Sequence, residues 1–66
     1  MELLILKSGR EYIRFKDNGY LLVSLDKASV FPLDRINAVQ EHEAYLKKKG
    51  FHNIRIKKLV LTEEDL

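Results

Sequence analysis

Two histidines, three serines, ten carboxylates and three isolated glycines are the groups with which this 66-residue chain could do chemistry. A structural zinc site needs about four ligands, drawn from thiolates, imidazoles and carboxylates at short, fixed spacings. His42 and His52 have no cysteine to join them and no acid at such a spacing, so neither reads as a metal ligand. Ser8, Ser24 and Ser29 lie in turn or strand contexts, with no GxSxG elbow and no helix start to activate them. Glu41 and Glu43 are two apart on one helix and point in different directions, which argues against a paired-carboxylate acid/base site. Gly9, Gly19 and Gly50 each stand at a turn or a helix end, so no phosphate loop can be built from them. The chain reads as non-enzymatic, with no metal and no cofactor.

The cations offer a different chemistry. Arg14, Lys16, Arg55 and Lys57 fall at strand positions that can share one sheet face with Tyr12 and Tyr20. Aromatic rings flanked by cations on an open sheet are how single-stranded nucleic acid is stacked. The formal net charge is only +2 and the RNA-recognition consensus is missing, so nucleic acid ranks behind protein among the expected partners.

The element that positions His42, Glu41 and Glu43 is a single helix, signalled from Pro32 to Gly50 by PLDRINAVQEHEAYLKKKG. Pro32 suits a first helical position, where its missing N–H has no intrahelical partner, and Asp34 adds negative charge near the positive end of the dipole. Lys47, Lys48 and Lys49 meet the unpaired carbonyls of the last turn, and Gly50 can take the left-handed conformation that ends a helix. Phe51 and Leu46 are then the apolar pair that closes a Schellman ending. At about 100° per residue, Ile36, Val39, His42 and Leu46 form a stripe flanked by Ala38 and Tyr45 that should face a sheet. Glu43, at the margin of that stripe, reads as the partner of Lys47 one turn later, and His42 as a core-edge residue hydrogen-bonded to backbone.

The rest of the chain reads as strands. Glu2 to Lys7 is a short apolar run, and Glu11 to Lys16 alternates, with Ile13 and Phe15 to one side and Tyr12, Arg14 and Lys16 to the other. A Ser8-Gly9 loop sets Leu4 opposite Ile13, while a three-residue Asp17-Asn18-Gly19 loop sets Phe15 opposite Leu21 and Ile13 opposite Val23. The helix-facing side then holds Leu4, Leu6, Ile13, Phe15, Leu21, Val23 and Leu25. Asp26 to Phe31 leads off the sheet to the helix, and Asn53 to Thr62 is a last strand in which a bulge at Lys57-Lys58 is left open. A right-handed crossover lays that strand parallel to the first. The expected class is α+β: a mixed four-stranded sheet with one helix on one face, in the order β-β-β-α-β.

Residues 1–66 allow one small domain, which at this size buries only about 60% of the surface its unfolded chain exposes. Without cysteine no disulfide can compensate, a composition that fits a reducing cytosol. Charged residues make up 33% of the chain and the early apolar run Leu3 to Leu6 is too short for a signal peptide, so no membrane association is expected and the protein is placed in the cytoplasm.

One helix covers one sheet face, yet the sequence writes apolar residues on both. Leu3, Ile5, Tyr12, Arg14, Tyr20 and Leu22 are therefore the candidate binding residues, a patch that a monomer rarely leaves wet. The other reading of the same pattern is that an edge strand curls and the loop Asp26 to Phe31 covers the patch. The expected function is a binding module that self-associates, as a dimer, or docks a protein partner through the open face. Single-stranded nucleic acid on the same face is the alternative. The run SLDKASVFPLD, Ser24 to Asp34, resembles stretches in short uncharacterised proteins of bacteria and their prophages. That resemblance implies a bacterial or phage origin and, with the small size, a further alternative: a phage-type inhibitor of a host enzyme.

Overall fold

In the computed structural model, which describes residues 1–66, two tight turns set the sheet. Strands β1 (Glu2–Ser8) and β2 (Glu11–Lys16) are joined by Gly9-Arg10, with Ser8 opposite Glu11 and Lys7 opposite Tyr12. Gly9, at φ +59°, takes the first central position, where a type II′ turn needs glycine. The pairing expected from a Ser8-Gly9 loop is thus displaced by two residues. Since side chains alternate with a period of two, Leu4, Leu6 and Ile13 still share a face.

The second turn corrects the expectation more deeply. Strand β3 (Gly19–Val23) follows a two-residue loop, Asp17-Asn18, whose φ angles of +50° and +63° are those of a type I′ turn. The twist of that turn matches the twist of the strands, and Asp and Asn are the non-glycine residues that best accept a left-handed backbone. Gly19 is therefore a strand residue opposite Lys16, with Tyr20 opposite Phe15 and Leu22 opposite Ile13. A slip of one residue carries every β3 side chain to the other face.

Asp26 to Phe31 is also more than a lead-off loop. After a 3₁₀ turn at Leu25–Lys27, the chain enters the fork where β2 leaves β1. Ser29 donates its N–H to the Ile13 carbonyl at 3.1 Å and accepts the Phe15 N–H on its hydroxyl at 2.9 Å. The backbone groups that β2 would otherwise share with β1 are satisfied in this way. Phe31 and Pro32 then form a fifth, two-residue strand, β4, opposite Leu4 and Leu3.

This extra strand reverses the last one. Running antiparallel to β1, β4 delivers the chain to the end of the sheet where β1 begins. From there one passage of helix α1 (Ile36–Lys49) carries it to the other end, where Ser8 Oγ donates to the His52 carbonyl at 2.7 Å. Strand β5 (Ile54–Val60) must then descend, and it pairs antiparallel with β1 from Ser8–Ile54 to Glu2–Val60. The sheet is five-stranded and antiparallel throughout, rather than four-stranded and mixed. Its ladder with β1 has no bulge at Lys57-Lys58, so Val60 falls on the face of Ile54 and Ile56.

A 3₁₀ turn at Leu33–Arg35 precedes α1, so Pro32 lies before the helix rather than at its first position. The C-terminal end is as expected. Gly50 has φ +95°, its N–H donates to the Lys47 carbonyl at 3.2 Å, and the Phe51 N–H reaches the Leu46 carbonyl at 3.1 Å, the two bonds of a Schellman motif. Glu43 meets Lys47 at 3.6 Å. Because an added Cβ at Gly50 has open space, the cost of Gly50→Ala is backbone strain alone, expected at about 1 kcal/mol by urea unfolding. A loss near zero would mean that the helix ends elsewhere.

Val39 and Leu46 are fully buried against Leu4, Leu6, Ile13 and Ile54, with Phe15, Tyr20, Phe31, Phe51 and Ile56 packed around them. Ile36, expected on this stripe, is 36% exposed.

Candidate interaction surface

The three serines and His42 are each engaged in contacts of the fold. Ser8 donates to the His52 carbonyl, Ser24 to the Asp26 carboxylate, and Ser29 holds the Phe15 N–H. His42 is bound not to backbone but to aromatic rings. Its ring lies 4.4 Å from Phe15 and 6.0 Å from Phe31, and its Nδ1 is 3.5 Å from the Tyr20 hydroxyl, the outer limit of a hydrogen bond.

The structure divides the six candidate residues between two faces. Leu3, Ile5, Tyr12 and Arg14 point away from the helix, whereas Tyr20 and Leu22 stand on the helix side. Tyr20 belongs to the aromatic cluster, edge-on to Phe15 at 4.9 Å and 5.5 Å from Tyr45. The expected six-residue patch is therefore corrected, and the cause is the two-residue Asp17-Asn18 turn. In place of Tyr20 and Leu22, that turn puts Leu21 and Val23 beside Arg14 and Tyr12. The hydrophobic pattern carries no warning of this, since β3 is apolar at both parities.

The face away from the helix is not open at its centre. Ile5 is only 3% exposed. It stands at the fork between the Lys7–Tyr12 pair and the Leu4–Phe31 pair, where Ala28–Val30 enters. Arg14 ties the 3₁₀ turn to this side by donating to the Lys27 carbonyl at 3.2 Å. Leu3, Tyr12, Val23 and Leu59 are half-buried, and Leu21 is 46% exposed.

Around these apolar residues the strands place Lys7, Arg14, Lys16, Arg55 and Lys57 and no acidic residue. Lys7 is directly opposite Arg55, a like-charge pair that disfavours the sheet. The Lys7 ammonium instead lies over the Tyr12 ring, 5.2 Å from its centroid. Tyr12 thus has a cation on one side of its ring, and Tyr20 is on the other face of the sheet. The two-aromatic platform expected for stacking bases is not assembled.

The two edges of the sheet contrast. The outer edge of β5 carries Arg55, Lys57 and Lys58, and charged edges resist pairing with another strand. The outer edge of β3 is Gly-Tyr-Leu-Leu-Val, without charge or proline. Lys16–Gly19, Arg14–Leu21 and Tyr12–Val23 are the hydrogen-bonded pairs of its ladder with β2, so the N–H and C=O of Tyr20 and Leu22 are directed outward.

Fold and surface together define a small α+β domain: one helix on one face of an antiparallel sheet, with a cationic opposite face and one bare apolar edge. No family model, no curated protein and no solved structure matches the chain. No helix in it is long and apolar enough to cross a membrane.

Proposed function

We propose that this chain is a non-enzymatic binding module that acts by protein–protein association, in the first place with a second copy of itself. The observation that carries this reading is the surface left uncovered. The chain exposes 5273 Å², against roughly 4,400 Å² for a compact monomer of its mass. Part of the excess belongs to the exposed, irregular residues 61–66, and the rest to the sheet and its connections. The chain's radius of gyration, 12.3 Å, likewise exceeds the ~10.8 Å of a compact chain of this length. Only seven residues are buried, while Leu21, Leu22, Leu25 and Val30 are nearly half exposed.

Size-exclusion chromatography with light scattering, run over a dilution series, tests the reading. The expected mass is twice that of the chain, falling towards one copy on dilution. A strict monomer at high concentration that binds no apolar dye would overturn it. Single-stranded nucleic acid is the rival, supported by the five cations of the face away from the helix. Added oligothymidylate is expected to leave the elution unchanged at physiological salt, because the net charge is small and the cationic face carries Tyr12 without a second aromatic residue beside it. Co-elution that Tyr12→Ala abolishes and Lys48→Ala spares would decide for the rival.

A further inference from the structure

We infer that the second copy docks on the free edge of β3, antiparallel and about a two-fold axis through Leu21, so that the two five-stranded sheets become one. The inference rests on the self-association reading above and names its site. Three observations point to this edge. Strand β3 ends the sheet and has no partner on its outer side. Its five residues bear no charge, so a two-fold axis brings no like charges together there, whereas on β5 it would crowd Arg55, Lys57 and Lys58 with the same cations of the second copy. Leu21 and Leu22 are 46% and 45% exposed, so pairing at this edge would remove apolar surface from water on both faces of the sheet.

The register follows from which backbone groups are free. A two-fold axis perpendicular to the sheet keeps each side chain on its own face, so a β3 residue can oppose only a residue of the same parity in the second copy. Tyr20 and Leu22 carry the outward N–H and C=O groups. With Leu21 on the axis, Tyr20 of each copy opposes Leu22 of the other, and each such pair exchanges both of its N–H···O bonds. Axes at Tyr20 or Leu22 would leave one of these residues to pair beyond the strand. On the helix side the dimer packs Tyr20 against Leu22, an aromatic–aliphatic cross-strand pair. On the other side Leu21 meets Leu21.

The absence of cysteine makes the test direct. In an antiparallel ladder, residues facing each other at a non-hydrogen-bonded position have Cα atoms about 4.5 Å apart, inside the range a disulfide spans. Leu21→Cys is therefore expected to form a covalent dimer under mild oxidation. Leu22→Cys and Val23→Cys, whose symmetry mates lie two or more pairs away along the ladder, should remain mostly uncrosslinked. Leu21→Lys, at an exposed position, should weaken the dimer by about tenfold or more through apposed ammonium groups, with an unchanged circular dichroism spectrum. Val60→Lys, at a 57% exposed position on β5, should leave it intact.

If the unmodified chain is a monomer by light scattering, self-association itself fails. If it is a dimer that Leu21→Lys does not weaken, or in which Leu22→Cys crosslinks better than Leu21→Cys, the β3 edge is overturned and the dimer lies elsewhere. Should Leu21→Lys alter the spectrum, the crosslinking pattern of the cysteine variants still decides.

Discussion

Leu46→Ala is expected to cost about 3–4 kcal/mol, a large part of the stability of so small a domain. Leu46 is fully buried in the cluster with Leu4, Leu6, Ile13, Val39 and Ile54, and its carbonyl receives the Phe51 N–H that closes the helix. Removing its side chain takes away burial and leaves a cavity beneath the last helical turn. A 66-residue domain has roughly 3–10 kcal/mol of stability in all, so the variant sits at the edge of unfolding. Urea titration followed by circular dichroism reads the difference directly. Ile36→Ala is the internal comparison: Ile36 lies on the same nominal stripe but is 36% exposed, and its loss should stay below about 1 kcal/mol. Equal losses at the two positions would mean that the helix is rotated from the orientation described.

Ile5→Ala should cost about 2–3 kcal/mol, and here the magnitude chooses between two pictures of the sheet. If the face away from the helix were an open apolar patch, Ile5 would be solvated in the monomer and its truncation worth no more than about 0.5 kcal/mol. With Ala28–Val30 inserted at the fork between β2 and β4, Ile5 is 3% exposed and its methyl groups contribute as core does. The measurement belongs at a dilution where only monomer remains, so that burial by a second copy does not enter. A loss under about 0.5 kcal/mol there would return Ile5 to the surface and with it the patch the sequence suggests.

The separation of legible from illegible features follows the range of the forces involved. The end of α1 is written within six residues, Leu46 to Phe51, because a Schellman motif needs only a left-handed glycine and an apolar pair. The Glu43–Lys47 pair is one turn apart and equally local. Strand β2 is legible because Ile13 and Phe15 alternate with Tyr12, Arg14 and Lys16, leaving one choice of inner face. Strand β3 offers no such choice, since Tyr20 and Leu22 are as apolar as Leu21 and Val23. Its face is set instead by the length of the turn. That length depends on the readiness of Asp17 and Asn18 to adopt positive φ, without the help of Gly19.

By itself, then, the sequence determined an α+β domain with one helix, the stop signal of that helix, the strand nature of Glu11 to Lys16, and the grouping of Leu4, Leu6 and Ile13 on the covered face. The tertiary structure alone decided that Tyr20 and Leu22 turn towards the helix, that Phe31–Pro32 becomes a strand and that β5 runs antiparallel to β1, and it chose, of the two readings of the outer face, the one in which Ile5 is sheltered. The first group rests on hydrogen bonds and periodicities spanning a few residues, which any chain carrying that stretch would show. The second rests on which backbone groups remain unpaired where β2 leaves β1. The answer, Ser29 bonding Ile13 and Phe15 from about fifteen positions away, exists only once distant parts of the chain have met.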